Sequence, residues 1–247
     1  MKPPILSLLA AGLFLVCLPG CQEQQNAAAP NKSVVQNIAG AGEQISMDQA
    51  ISWTHNYRSH YPSGLRAVGY SAQGIQSLLR QEGCIGIRIY NATTDAGEDL
   101  YILVGVDAAG HDQTYASLLD AAPRCPVWCA VSPLAGDVSA FSAATAPVSV
   151  PLTQEQAVRW TGTYQYHHPG QLRGAYYDAA IFEEILHQGA TTGIRIYRAL
   201  MHNDESTFVL VGIDGNHQDQ VEAYHRVFAK GLPCISSECA PGSILVH

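Results

Sequence analysis

The chain has 247 residues, of which 47% are hydrophobic and only 14% charged, against about 25% charged in an average soluble domain. That balance excludes a charge-rich disordered solvator. The net charge of −8 excludes a protein that holds a nucleic-acid backbone electrostatically, so no nucleic acid is expected as a partner.

In chain order, Lys2 precedes an apolar run from Ile5 to Leu18 that is shorter than a bilayer-spanning helix needs and predicts a signal peptide over residues 1–20. Its end, Leu18-Pro19-Gly20-Cys21, resembles the lipobox of bacterial lipoproteins. That resemblance implies that Cys21 is diacylated and becomes the mature N-terminus, although Pro19 departs from the usual residue there. An ordinary signal peptide with a coincidental cysteine is the alternative. Gln22 follows in place of Asp, which by the same resemblance implies the outer rather than the inner membrane, facing the periplasm or the cell surface. Residues 21–44 are rich in Gln, Asn, Ala and Gly without an apolar period, as expected of a flexible tether.

The rest of the chain repeats itself. Shifted by 107 residues, Ala50–Ala116 aligns with Ala157–Ala223 without a gap over about 67 positions, with roughly 26 identities, which predicts a tandem duplication. Repeat 1 is expected over 45–129 and repeat 2 over 152–240, joined by a Pro/Ala/Ser linker over 130–151 and followed by a tail over 241–247. In each copy a capping box, Ser46-x-x-Gln49 or Thr153-x-x-Gln156, predicts a helix running to Pro62 or Pro169. Ser71 and Asp178 are positioned to cap a second helix with apolar triplets Ile75, Leu78, Leu79 and Phe182, Ile185, Leu186 at helical spacing. Two β-rich runs follow, Ile85–Tyr90 with Leu100–Val106, and Thr192–Tyr197 with Thr207–Ile213, each pair separated by a hairpin-like loop. The expected fold class is α+β, a tandem duplication of an α-α-β-β unit forming a pseudo-twofold body of about four strands and four or more helices.

Five cysteines lie beyond Cys17 and Cys21. Cys125 with Cys129 and Cys234 with Cys239 form close pairs that read as local disulfides of an oxidising compartment; a redox dithiol or a four-Cys zinc site fits the spacing less well. Cys84 stands opposite Thr191 and is expected to be a buried free thiol.

Three sets of residues could carry function. Asp107 with Asp112, and Asp214 with Asp219, place two carboxylates five apart after a strand; calcium is a candidate ligand, although no EF-hand glutamate follows, and a turn capped by Asp is the plainer reading. Arg88, Tyr90, Arg195 and Tyr197 alternate with isoleucines and could present a face for a carboxylate or a glycan, or the arginines could pair with Asp107 and Asp214 to order the sheet. Among ten histidines only His60 and His167 recur at matching positions. No H-E-x-x-H, G-x-S-x-G or phosphate loop is present, and the catalytic residues of any activity are unknown.

The pattern G-I-R-I-Y, a loop, then L-V-G-V-D-x-x-G-x-D before a Pro/Cys-rich end resembles a family of Bacteroidetes envelope proteins, usually single-copy, that implies no established activity. Repeat 2 departs from it where His217 stands in place of Gly110, which puts the shared turn geometry in doubt. Together these features predict a lipid-anchored envelope protein that acts as a non-enzymatic binding or assembly factor for an envelope protein or glycan. The alternative is an envelope hydrolase with its site at the repeat junction, drawing on residues one copy lacks, with Cys84, Glu98 or His111 as candidates.

Overall fold

The structure is a computed structural model that describes residues 40–122, 124–125, 132–136, 146–222, 225–236, 240 and 243–246. The signal segment, Cys21 and most of the tether lie outside the described residues. So do Cys129, Cys239 and parts of the linker and tail.

Both predicted capping boxes form. In α1 (Met47–His60) the Ser46 hydroxyl accepts from the Gln49 amide while the Gln49 side chain accepts from the Ser46 amide, and Thr153 and Gln156 do the same for α3 (Gln154–His167). These reciprocal bonds satisfy amides that a helix start leaves without partners. Ser71 and Asp178 cap the short helices α2 (Ala72–Leu79) and α4 (Ala179–Leu186). Each is also the last residue of a five-residue strand, β2 (Ala67–Ser71) or β8 (Gly174–Asp178), so chain direction changes from strand to helix within one residue. The long hairpins are β3 (Cys84–Thr93) with β4 (Asp99–Asp107), and β9 (Gly193–Leu200) with β10 (Ser206–Ile213). Shorter strands complete the set, namely β1 (Glu43–Ile45), β5 (Leu118–Ala122), β6 (Arg124–Cys125), β7 (Val148–Leu152), β11 (Val227–Ala229) and β12 (Leu232–Cys234).

The fold is thus α+β, with four helices and two antiparallel six-stranded sheets among the described residues. The expectation of about four strands is corrected to twelve. The extra strands are two to five residues long, too short to show a period of two in sequence, and they are held by neighbouring strands rather than by their own pattern.

Strand order is β1-β11-β10-β9-β2-β6 in one sheet and β12-β8-β3-β4-β5-β7 in the other. Neither sheet is built from one half of the chain. β2 of the first half pairs with β9 of the second, Ala67 opposite Tyr197, and β8 of the second half pairs with β3 of the first, Gly174 opposite Tyr90. The register is the same at both crossings when numbers are shifted by 107. Glycine lets the foreign strand come close, since a Cβ on Gly86 would lie 2.4 Å from the Tyr177 carbonyl oxygen and one on Gly193 2.3 Å from that of Tyr70. No side chain fits there.

The main core lies between the sheets. Ile87, Ile89 and Tyr177 from one sheet meet Val68, Ile194, Ile196 and Phe208 from the other, with Ile75, Leu78, Phe182 and Ile185 of α2 and α4 closing the ends. The outer faces are covered too. Ala50 and Trp53 of α1 pack with Tyr197, Ala199 and Val209, while Ala157 of α3 packs with Tyr90, Ala92 and Ile102. Strands buried on both faces show little hydrophobic alternation. The Tyr70 hydroxyl donates to the Tyr101 carbonyl and that of Tyr177 to the Phe208 carbonyl, both at 2.7 Å, so these two core phenols are satisfied.

Burial pushes the pKa of Tyr70, Tyr90, Tyr101, Tyr177 and Tyr197 above the ordinary value, that of Tyr177 to about 12. A phenol whose folded-state pKa exceeds its unfolded value favours the fold below the unfolded pKa and ceases to do so as pH rises through the folded one. Stability is therefore full below about pH 10 and falls above it. An absorbance titration at 295 nm should show the buried tyrosines ionising only in a cooperative step above about pH 10 that coincides with loss of circular dichroism.

Candidate functional site

The structure turns the four residues expected on a binding face inward. Arg88 and Arg195 are 2% and 4% exposed, and Tyr90 and Tyr197 are fully buried, so the expectation of a ligand-binding face there is corrected. They stand on the sheet faces opposite the inter-sheet core, under the turns that follow β4 and β10. Arg88 is ion-paired with Asp112, whose other oxygen accepts from the Tyr90 hydroxyl at 2.6 Å and from Ser243. Arg195, Asp219 and Tyr197 repeat the arrangement, the Tyr197 hydroxyl again at 2.6 Å. The arginine partners are Asp112 and Asp219, not Asp107 and Asp214. Burial opposes the charge of Arg88 and of Arg195, and the neighbouring aspartate and tyrosine outweigh it, leaving both guanidinium groups above their ordinary pKa.

Asp107 and Asp214 have a different task. Oδ1 of Asp107 accepts from the amides of Ala109 and His111, both at 2.9 Å, and Oδ1 of Asp214 from those of Asn216 and Gln218, both at 2.8 Å. Each closes its turn. The two carboxylates of each turn thus have separate partners, and among the described residues no group of three or more His, Cys, Asp or Glu side chains gathers. Gly110 at φ 85° and His217 at φ 64° adopt the same left-handed conformation, so the doubt about a shared turn is removed. The hydrogen bonds of Asp214 hold a residue with a Cβ where glycine would be easier.

Cys84 is a half-buried free thiol. Cys125 and Cys234 are disulfide-bonded, and Cys129 and Cys239, their expected partners, lie outside the described residues. Glu98 is in an ion pair with Arg124 and His111 is 3.5 Å from Asp107; with Cys84 they form no shared site, and Glu98 faces Glu205 in the repeat alignment.

The chemistry that stands out lies where the halves meet. A cleft of about 450 Å³ is formed by the C-terminal turns of α1 and α3, the C-terminal parts of β3 and β9, and the start of β4. Tyr57 and Tyr61 pack in a tilted pair at 5.0 Å between ring centres, and Tyr164 and His168 stack at 4.4 Å; these pairs are 107 residues apart, as are Asn91 and Arg198, which also line the cleft. Arg198 is 6% exposed. Its Nη1 donates to Oδ1 of Asn91, its Tyr164 neighbour is hydrogen-bonded to it, and its guanidinium lies 5.3 Å from the centre of the Tyr57 ring and 5.6 Å from that of Phe208. Among the described residues no carboxylate is within ion-pair distance of it. Burial works against its charge and the surrounding tyrosines raise its pKa. Its Nε and the hydroxyl of Tyr101, also lining the cleft, are buried without a hydrogen-bond partner. A cation held in aromatic surroundings with donors to spare is a receptor for an anion.

Of the recurring histidines, His60 lines this cleft and His167 does not. Arg198 was missed because the repeats were read for identities. The signal was a difference, an arginine facing a neutral Asn91 within otherwise matched apolar strands.

No protein-family model matches the chain, and no curated protein or solved structure is significantly similar to it.

Taking one partner from a buried ion pair leaves an uncompensated charge, at a cost of about 3–5 kcal/mol. Asp112→Asn and Asp219→Asn should each lower unfolding free energy by about that much in a urea titration, whereas replacing the exposed Asp95, paired with Arg159 at the surface, should leave the urea midpoint nearly unchanged.

Proposed function

We propose that the chain is a lipid-anchored protein of the bacterial envelope that works by binding, and that its site is the cleft around Arg198. The observation that carries the reading is the buried Arg198 guanidinium, which lies over aromatic rings, has no carboxylate within ion-pair distance among the described residues and has Nε unpartnered. Burying such a charge is costly unless an anion completes it.

The same reading takes the chain as a tandem duplication of an α-α-β-β unit, each unit extended by short strands and exchanging β2 or β8 with its sister across a pseudo-twofold axis. The 107-residue offset common to the alignment, the strand registers, the capping boxes and the Arg–Asp–Tyr clusters supports it. The cleft contains paired residues from both units, and a symmetric body has become asymmetric there, with Arg198 against Asn91, His168 against Tyr61 and Tyr101 against Phe208. Such divergence suits one ligand rather than two. The pairings Cys125–Cys129 and Cys234–Cys239, the outer-membrane location and the kinship with Bacteroidetes envelope proteins belong to the same proposal.

A hydrolase at the junction is favoured by one observation, the presence of Asp99 and His168 in the same asymmetric cleft. It requires that a bound ligand be cleaved, which mass spectrometry of the ligand after incubation would reveal.

Two experiments test the main reading. Cys21→Ser should abolish palmitate labelling and move the protein from the membrane to the soluble fraction; retention in the membrane removes the lipid anchor. In thermal melts, acetate or phosphate should raise Tm of the purified protein saturably, by about 5 °C or more at 100-fold excess over Kd, and Arg198→Met should remove that rise. A rise of equal size in both proteins is a general salt effect and overturns the cleft as an anion site.

A further inference from the structure

We infer that the cleft takes an acidic oligosaccharide, a uronic-acid-type sugar whose carboxylate pairs with Arg198 and whose neighbouring sugar residues run into a second basin; the inference rests on the binding reading above. A cavity of about 600 Å³ adjoins the cleft and shares Tyr61 and Gln171 with it. The two basins together are larger than a single sugar or a small organic anion fills, and their connection calls for a ligand that is long and narrow.

The lining differs between the basins in a way that orders the ligand. The first has the guanidinium and two aromatic pairs, Tyr57 tilted against Tyr61 and Tyr164 stacked on His168. Aromatic faces suit the apolar faces of pyranose rings, and a planar guanidinium suits a carboxylate held by two parallel hydrogen bonds. Asp99 also lines it; one of its oxygens accepts from Thr93 at 2.8 Å, and the other can accept from a sugar hydroxyl. The second basin is lined by Asp204, Glu205, Ser206 and Thr207 together with Lys230, whose ammonium is paired with Glu43, leaving the Asp204 and Glu205 carboxylates as the net charge of the basin. Those carboxylates repel a second acid and accept from neutral hydroxyl groups, so the acidic residue belongs beside Arg198 and neutral residues beyond Gln171. Tyr61, 40% exposed, stands at the passage between the basins, where an exposed aromatic ring offers a platform for the connecting sugar.

The test is calorimetric titration of the full protein in detergent micelles with three probes, namely a trisaccharide of one terminal glucuronic acid on two neutral sugars, its methyl ester and maltotriose. The acid should bind, with the ester and maltotriose weaker by about 30-fold or more, because the charge-assisted pair with Arg198 is lost. Arg198→Met should weaken the acid by a similar factor. Since that substitution touches the core, two surface changes accompany it. Gln171→Glu places a negative charge at the passage and should weaken the acid about tenfold without changing Tm, and Tyr61→Ala should weaken all binding oligosaccharides alike.

Equal affinity for acid and ester overturns the inference of an acidic sugar. Failure of all three probes to bind, while acetate still raises Tm through Arg198, overturns the oligosaccharide class and leaves the anion cleft intact. Failure of both measurements removes the cleft reading as well.

Discussion

Pairing of β2 with β9 and of β8 with β3 is the constraint on which the rest of the molecule depends. A two-stranded hairpin is marginal in water, and each half supplies only one long hairpin. The strand donated by the other half widens it into a sheet and seats α2 and α4 between the sheets. The same crossings bring the C-terminal turns of α1 and α3 together with Asn91 and Arg198. The cleft is therefore a product of the exchange rather than an addition to it.

Three buried arginines on equivalent strands show how differently one fold can treat a charge. Arg88 and Arg195 each have a fully buried aspartate and a tyrosine hydroxyl arranged around it. Such a cluster is closed, with every strong acceptor engaged, and it fastens the turn after the hairpin to the sheet beneath. Arg198 has an amide oxygen and aromatic faces instead. Desolvation is as severe in all three places, and only in the third is compensation left open to something from outside the chain. The contrast between the closed pairs and the open one is a stronger functional sign than any of the three considered alone.

Much of the framework was legible in the sequence because it rests on local signals. The capping boxes, the cap residues Ser71 and Asp178 and the long strands around Ile87, Ile89, Ile194 and Ile196 are set by spacing within a few residues. The exchange was not legible. β2 and β8 are specified by a foreign partner, and nothing within Ala67–Ser71 names Tyr197 as its neighbour. The inward course of Arg88 and Tyr90 was hidden for a related reason. Alternation reports two faces of a strand but does not say that α3, a turn and the residues around Ser243 cover the second. Arg198 was visible as a letter throughout, and that no carboxylate among the described residues pairs with it became apparent only in three dimensions.

The interleaved strand order also governs how the chain can acquire its structure. Partners such as Ala67 and Tyr197 are about 130 residues apart, and loops of that length close slowly relative to local helices and hairpins. After the first half emerges from a ribosome or a translocation pore, β3 and β4 can form a hairpin, yet the edge of β3 that belongs to β8 stays bare until the second half arrives. An exposed edge of that kind invites pairing with another chain. Two copies of a nascent first half are then competitors for the same edge, so the interval between synthesis of the two halves is the period in which this protein is most exposed to misassembly.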